Sequence, residues 1–169
     1  PTVAFRVDRI ADFARVTRAL GALSGDTAAA RLTVDSVTAA LDAVRRATAS
    51  LARPTAVWPV WETPLLVIGG ASFMSELVEI AGGRNVFGTL AQPSPQVAFE
   101  DLLRRDPDVV LAGPNSRLRY LASPRWRALR AVQEGRVLVI DTNLVMRPAV
   151  RLGEGARSLA RLLHPGITF

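Results

Sequence analysis

The 169-residue sequence lacks cysteine and lysine altogether, and it has a single histidine, His164. Without cysteine there are no disulfides, no thiolate metal ligands and no cysteine nucleophile, and one histidine is too few for a histidine-based metal site. No apolar run approaches the roughly 20 residues that a membrane-spanning helix needs. The sequence therefore predicts no metal site, no bound cofactor and no membrane-spanning helix.

Because lysine is absent, every basic residue is an arginine, and the formal net charge is +6. A nucleic-acid-binding protein usually gathers its basic residues on one face. Here the arginines are spread along the chain, with adjacent pairs only at Arg45-Arg46 and Arg104-Arg105. This distribution does not favour a nucleic-acid partner.

The N-terminal third predicts an extended segment followed by two helices. Apolar residues alternate between Pro1 and Val7, and Asp8 is expected to cap a first helix over about residues 9–23. A second helix is expected from Thr27 to about Ala52. At about 1.5 Å per residue it would span roughly 40 Å. It is either an ordinary surface helix or a helix that connects two bodies, and periodicity alone leaves both interpretations open.

From Thr55 onward, short apolar runs alternate with amphipathic segments. Strands are predicted over Thr55–Trp61, Asp108–Ala112 and Val137–Ile140, and helices over Val97–Arg105, Pro124–Gln133 and Arg151–Leu163. Continuous apolar strands that alternate with helices are typical of a parallel α/β sheet covered on both faces.

The segment from Val67 to Phe87 contains a predicted helix between two glycine pairs. Ser72 is expected to be its N-cap, and one glycine of Gly82-Gly83 is expected to take the left-handed position after its end. Gly69-Gly70, just before the helix, could also bind an anion at the helix N-terminus. This leaves a small nucleotide- or anion-binding domain, or an enzyme, as an alternative function.

Polar and aromatic residues follow the predicted strands at their carboxyl ends, where open parallel sheets bind their ligands. Trp61-Glu62 follows the first strand, Gly113–Asn115 the middle one, and Asn143 and Arg147 the last. Trp58 is expected in the core, whereas Trp61 suits the core and the sheet edge equally.

The sequence shows no clear arrangement of catalytic residues. A Ser-His-Asp triad would need Ser72 or Ser75 to meet Asp141 and His164, and neither serine lies in a nucleophile-elbow pattern. The residues therefore favour a binding module over an enzyme.

Five groups of residues carry a resemblance to a known family. They are Phe73–Phe87, Pro95–Leu103, Asp106–Leu111, Trp126–Val137, and Arg147–Leu152 with Leu163–Pro165. In order and spacing they resemble the second lobe of the substrate-binding proteins of cobalamin and ferric-siderophore ABC importers. The segment from Phe5 to Leu51 resembles the end of the first lobe and the long helix that joins the lobes.

The resemblance implies a Rossmann-like, parallel α/β C-terminal lobe preceded by an inter-lobe helix. The expected boundaries are 1–24 for the end of the N-terminal lobe, 25–53 for the inter-lobe helix and 54–169 for the C-terminal lobe. It further implies a periplasmic or cell-surface protein that binds cobalamin, haem or a ferric siderophore between two lobes. Most of the first lobe would be missing, so this chain would hold about half of the ligand site.

The resemblance also implies roles for individual residues. Ligand contacts are expected from Trp61, Glu62, Ser94, Asn143 and Arg147. Ser94 stands where cobalamin binders carry an aromatic residue, which leaves the ligand open. Glu100 matches the glutamate that docks on arginines of the membrane permease, a sensible use of an exposed carboxylate. The protein would contact the membrane only through the permease, or through a lipid anchor outside this chain.

Overall fold

A computed structural model describes Thr2 and residues 4–169. The helices are α1 (Ile10–Ser24), α2 (Thr27–Thr48), α3 (Phe73–Ile80), α4 (Phe99–Arg105), α5 (Arg117–Ala122), α6 (Arg130–Gln133), α7 (Thr142–Val145) and α8 (Leu152–Leu163), with a 3₁₀ turn at Trp126–Ala128. The strands are β1 (Thr55–Val57), β2 (Pro59–Glu62), β3 (Leu65–Val67), β4 (Arg84–Asn85), β5 (Val109–Ala112) and β6 (Val137–Val139).

Four of the strands form a sheet in the order β4-β1-β5-β6. The sheet is parallel, as the sequence predicted, but the sequence did not predict its strand order. Alternate residues of one strand point to opposite faces. Val109 and Leu111 therefore join a core with α2, α3 and α8. Val110 and Ala112 join a second core with α4, α5 and α6. The result is a three-layer α/β architecture, and each large side chain buried fully in it contributes about 1.5–3 kcal/mol.

The predicted single strand from Thr55 to Trp61 is wrong in one respect, because it is two strands in two sheets. β1 belongs to the parallel sheet, whereas β2 pairs antiparallel with β3 in a separate hairpin. Pro59 begins β2, a position that suits proline because it has no N–H to donate to a neighbouring strand. Trp61 and Glu62 therefore lie within this hairpin rather than after the first strand.

The start of the chain differs from its prediction. Pro1 and Val3, which belong to the predicted extended segment, lie outside the described residues, and residues 4–8 have no regular structure. Asp8 is not the cap of α1: the N-cap is Arg9. The Asp12 carboxylate accepts hydrogen bonds from the backbone N–H groups of Asp8 and Arg9, and Glu76 Oε2 accepts one from Ile10 N–H at 2.7 Å.

The long helix α2 is confirmed but ends at Thr48, four residues before the predicted end. Asp26 caps its start by accepting a hydrogen bond from Ala29 N–H at 2.9 Å. At the other end, the buried Thr48 hydroxyl donates to the carbonyl oxygens of Val44 and Ile80, each at 3.1 Å. Since Ile80 ends α3, this hydroxyl ties the ends of two helices together.

The helix between the glycine pairs is confirmed. Ser72 Oγ accepts a hydrogen bond from Met74 N–H at 3.2 Å, and Gly82 has the left-handed φ of +80° that follows the helix.

The remaining helices differ in detail. The helix predicted from Val97 begins at Phe99, and the one predicted over Pro124–Gln133 is broken at Leu129, whose backbone is extended. The short elements α5, α7 and β4 were not predicted. None of the helices in the described part of the chain has the length and hydropathy needed to cross a membrane.

Candidate functional site

The carboxyl ends of the four parallel strands define one edge of the sheet, called here the rim. Three segments leave this edge beside one another. The hairpin β2–β3 follows β1 through the buried Trp58, α5 follows β5, and α7 follows β6. A Cβ atom on Gly113 would lie 3.4 Å from Thr142 Cγ2, so the turns after β5 and β6 adjoin. The burial of Trp58 confirms its predicted place in the core.

A cleft of about 430 Å³ lies between the hairpin and α5, and we call it the hairpin pocket. It is lined by Pro59, Val60, Trp61, Glu62, Thr63, Ser116, Arg119 and Tyr120. The structure thus brings Trp61 and Glu62 together with three polar residues of the loop and helix after β5. Sequence reasoning missed Ser116, Arg119 and Tyr120.

Trp61 is exposed over 62% of its surface, which resolves the open choice for this residue in favour of the rim. Its indole Nε1–H donates a hydrogen bond to the carbonyl oxygen of Thr63 at 2.9 Å. Because this donor is occupied within the hairpin, Trp61 offers a partner the apolar face of its ring rather than a hydrogen bond.

Glu62 and Arg119 form an ion pair across the hairpin pocket, with Oε1 of Glu62 2.6 Å from a terminal nitrogen of Arg119. The same guanidinium donates a hydrogen bond to Ser116 Oγ at 3.1 Å. Burial, together with the negative charge of Glu62, raises the pKa of Tyr120 to about 12. Tyr120 is therefore harder to ionise than an ordinary tyrosine.

Ser94 lies in the segment that runs beside β3. Pro93 O accepts a hydrogen bond from Gly69 N–H at 3.0 Å, and Pro95 O accepts one from Val67 N–H at 3.1 Å. Gln96 then forms an isolated bridge to Leu66. Ser94 itself is exposed and lies on the opposite side of β3 from β2.

Asn143 and Arg147 are carried by α7 and the turn that follows it. Asp141 caps α7 by accepting a hydrogen bond from Asn143 N–H at 2.9 Å. Both side chains are exposed, and none of the ion pairs among the described residues involves Arg147. The hairpin leaves β1 and α7 leaves β6, with β5 between them. Trp61 and Glu62 therefore lie in one group on the rim, and Asn143 and Arg147 lie in another.

Glu100 lies in the first turn of α4 and is exposed. The neighbouring Asp101 is paired with Arg104 at 3.0 Å and with Arg105 at 3.4 Å, and its hydrogen bond from Arg104 lowers the pKa of its carboxyl. No comparable pair engages Glu100 among the described residues. Its carboxylate is available to a partner.

Gly69-Gly70 does not form an anion site, so the alternative built on it is wrong. Their backbone N–H groups donate to the carbonyl oxygens of Pro93 and Leu90, and the N–H of Phe73 donates to Asp8 O at 2.6 Å. A Cβ atom at either glycine would overlap a backbone carbonyl of residues 88–92. The glycines allow two backbone segments to approach closely, and the donors at this helix start are already occupied.

A metal-binding cluster is not found in the described part of the chain, where no three His, Cys, Asp or Glu side chains come together suitably. His164 lies at the end of α8, with Nε2 3.1 Å from Ala81 O. The two serines considered for catalysis have structural partners: Ser72 caps α3, and Ser75 Oγ accepts a hydrogen bond from Asn85 Nδ2 at 3.0 Å.

Comparison with known proteins identifies the class of this fold. A family model described as "periplasmic binding protein" matches residues 1–144. A cobalamin-binding protein of Halobacterium salinarum is 31% identical over 161 residues, which cover 88% of this chain and 42% of that protein. The chain spans less than half the length of these curated relatives. For a vitamin B12-binding protein of Vibrio parahaemolyticus the matched share of that protein is 33%.

Solved structures agree on the fold. An ABC transporter substrate-binding protein of Listeria monocytogenes superposes with a TM-score of 0.84 at 23% identity, covering 93% of this chain and 65% of that one. A possible iron-binding, periplasmic solute-binding protein of Staphylococcus epidermidis gives 0.83 at 19% identity, with coverage of 94% and 64%.

This chain belongs to the periplasmic binding protein family. The family consists of extracytoplasmic binding proteins rather than enzymes, in agreement with the prediction from the sequence.

Proposed function

We propose that this chain is part of the solute-binding component of an ABC importer. The component binds a metal chelate of the cobalamin, haem or ferric-siderophore type and delivers it to a permease. The observation that carries the proposal is the 31% identity to the Halobacterium cobalamin-binding protein over 88% of this chain. The polar and aromatic rim supports it, because ligands of open parallel sheets bind at that edge.

In this proposal residues 1–24 are the end of an N-terminal lobe, 25–53 the inter-lobe helix and 54–169 the C-terminal lobe. The packing of α2 supports this division. Near its start, Ala30 of α2 meets Gly21 of α1, and at its end Thr48 donates to Ile80 O at the end of α3. A Cβ atom on Gly153 of α8 would lie only 2.5 Å from Ala40 Cβ, so α2 and α8 pack closely. A helix held in this way can connect two bodies.

The ligand would contact Trp61, Glu62, Ser94, Asn143 and Arg147 on the rim. The exposed indole face of Trp61 suits the apolar surface of a macrocycle or a chelate. The exposed guanidinium of Arg147 suits an acidic or carbonyl group at its periphery, because arginine presents several donors in a fixed fork. Glu100 would meet an arginine of the permease, and its lack of an intramolecular ion pair in the described residues supports that role.

The proposal is tested by ligand-induced stabilisation of the intact protein. Cyanocobalamin, haemin and a ferric hydroxamate chelate are each added, and the melting temperature is measured. A ligand at 100 times its dissociation constant stabilises the folded state by about 2.7 kcal/mol, which raises the melting temperature by several degrees. Metal-free hydroxamate is the control. The absence of a shift with all three chelates would contradict the proposal.

A further inference from the structure

The hairpin pocket presents an acid and a base side by side at its mouth. The side chain of Arg119 is 65% exposed and that of Glu62 is 31% exposed, so the pair faces solvent while remaining in contact. Ser116 accepts a hydrogen bond from the guanidinium and Glu62 is its counter-ion, and the two contacts restrain its position. A fixed guanidinium loses little conformational entropy when it binds a further group.

Hydrogen-bonding capacity remains open on both members of the pair. Oε1 of Glu62 is shielded from solvent and lies 2.6 Å from a terminal nitrogen of Arg119, so a ligand does not reach it. The other carboxylate oxygen, Oε2, takes part in none of the hydrogen bonds among those residues. Arg119 has five N–H donors, of which only one bonds to Ser116. The mouth of the pocket therefore offers acceptor and donor capacity next to each other.

This arrangement discriminates between chemical groups. A ligand carboxylate has acceptors only, so it would be attracted by Arg119 and repelled by Glu62. An ammonium group has donors only, so it would be attracted by Glu62 and repelled by Arg119. A primary carboxamide carries a C=O acceptor and N–H donors on one carbon, so it pairs with both residues and adds no charge. Leaving any of these polar groups unpaired on binding costs affinity.

The neighbouring residues are consistent with a neutral polar group beside an apolar surface. Trp61 turns the face of its indole outward because its N–H is already bonded to Thr63. Tyr120, which also lines the pocket, is buried and stacks against Trp126 with ring centroids 4.2 Å apart. The pocket therefore combines one flat apolar contact with one paired donor and acceptor.

We propose that the Glu62–Arg119 pair binds a primary carboxamide on the periphery of the ligand and selects against a carboxylate at that position. This inference rests on the proposed function and narrows its ligand class to amide-bearing chelates. Arg119 would donate to the amide oxygen, and Glu62 would accept from the amide N–H.

The test measures a preference rather than an affinity alone. The probes are cyanocobalamin, whose periphery carries primary amides, and its monocarboxylic acid derivatives, in which one side-chain amide is hydrolysed. Dissociation constants are measured by calorimetry for the intact wild-type protein, Glu62→Gln, Arg119→Gln and the control Arg127→Gln, which alters an exposed arginine outside the pocket. We expect wild type to bind at least one derivative about tenfold more weakly than the amide.

In Glu62→Gln that preference should fall to about threefold or less, because the repulsion of the carboxylate is removed. Arg119→Gln should weaken cyanocobalamin binding about five- to tenfold. Arg127→Gln should behave as wild type. Melting temperatures of the unliganded variants establish that each is folded. The ratio of the dissociation constants of the acid derivative and the amide then reports whether Glu62 and Arg119 bind the amide.

Two results overturn the inference while the proposed function stands. One is an unchanged preference in Glu62→Gln, and the other is a wild-type protein that binds haemin or the ferric hydroxamate but not cyanocobalamin. If wild type binds none of the three chelates, the proposed function fails and this inference fails with it.

Discussion

Thr55 and Asp108 are joined by three hydrogen bonds between the starts of β1 and β5. Asp108 Oδ2 accepts from the backbone N–H of Thr55 at 2.8 Å and from its hydroxyl at 2.7 Å, and Asp108 N–H donates to Thr55 Oγ1 at 2.9 Å. The two bonds that the carboxylate accepts from Thr55, with a contribution from Arg130, lower the pKa of Asp108 from 3.8 to about 2. The pair fixes the end of the sheet opposite the rim, and so holds the two strands that carry the hairpin and α5 in register.

Replacing this carboxylate should make the stability less dependent on pH. A carboxyl with a lowered pKa in the folded state stabilises the fold above its unfolded pKa, and this contribution is lost as pH falls through the folded pKa. Since the side chain is 34% exposed, solvent screening reduces the effect. We expect Asp108→Asn to lower the free energy of unfolding by about 1–2 kcal/mol at pH 7.

The measurement is urea unfolding of wild type and Asp108→Asn between pH 7 and pH 2. The difference between them should be constant above about pH 5 and should shrink as pH falls from about 4 towards 2. Asp35→Asn, a change at an exposed site on α2, is the control and should stay within about 0.5 kcal/mol of wild type. A difference that is independent of pH would contradict the role of the charge.

Two glycines with the same left-handed φ allow the cost of backbone strain to be separated from the cost of crowding. Gly82 and Gly25 both have φ of +80°. A Cβ atom on Gly82 would lie 2.6 Å from His164 Nε2 and 2.7 Å from Thr48 Cβ, whereas nothing lies within 4 Å of one on Gly25. We expect Gly25→Ala to cost about 1 kcal/mol from backbone strain, and Gly82→Ala to cost about 3 kcal/mol or more.

Thermal and urea unfolding of the two alanine variants check this prediction. A further variant, Gly82→Ala combined with His164→Ala, should recover part of the loss because it removes one of the two crowding groups. If Gly25→Ala and Gly82→Ala destabilised the protein equally, crowding at Gly82 would add nothing to the cost of backbone strain, and the prediction would be contradicted.

Much of the fold was predictable because its signals are local. The strand β5 is an unbroken apolar run, and α3 has a serine cap at its start and a left-handed glycine after its end. The helix α5 has no such signal. Its Leu118 is exposed, and its one buried side chain, Tyr120, packs against Trp126 in the second core. Its existence depends on tertiary packing, which periodicity does not report.

The site was predictable only in part, for the same reason. Asn143 and Arg147 follow β6, and Trp61 and Glu62 lie in the hairpin that follows β1, so their position on the rim could be deduced from the order of the elements. Arg119 could not, because its pairing with Glu62 brings together residues 57 positions apart. The alternative prediction of an anion site at Gly69-Gly70 was wrong because a glycine pair before a helix has the same local pattern whether it faces an anion or another backbone segment.

Removing Arg147 should weaken ligand binding without destabilising the protein. Its exposed side chain has no ion pair among the described residues, so its loss should change the melting temperature of the unliganded protein by less than about 2 °C. Affinity for the chelate that stabilises wild type should fall about five- to tenfold in Arg147→Ala. Arg151→Ala, which removes an arginine paired with Glu154 at 2.8 Å, should leave affinity unchanged.

Glu100 and Asp101 offer a matched pair for testing the docking role. Both acids lie in the first turn of α4, but Asp101 is held by Arg104 and Arg105, whereas Glu100 has no ion pair among the described residues. A free carboxylate binds a partner's arginine without first breaking an internal pair.

We therefore expect Glu100→Ala to retain the wild-type dissociation constant for the chelate but to reduce its uptake by permease-containing proteoliposomes at least fivefold. Asp101→Ala should reduce uptake by less than twofold, and raising the ionic strength should weaken uptake more for wild type than for Glu100→Ala. Equal loss of binding and uptake in Glu100→Ala would contradict docking, because the residue would then act through the ligand site.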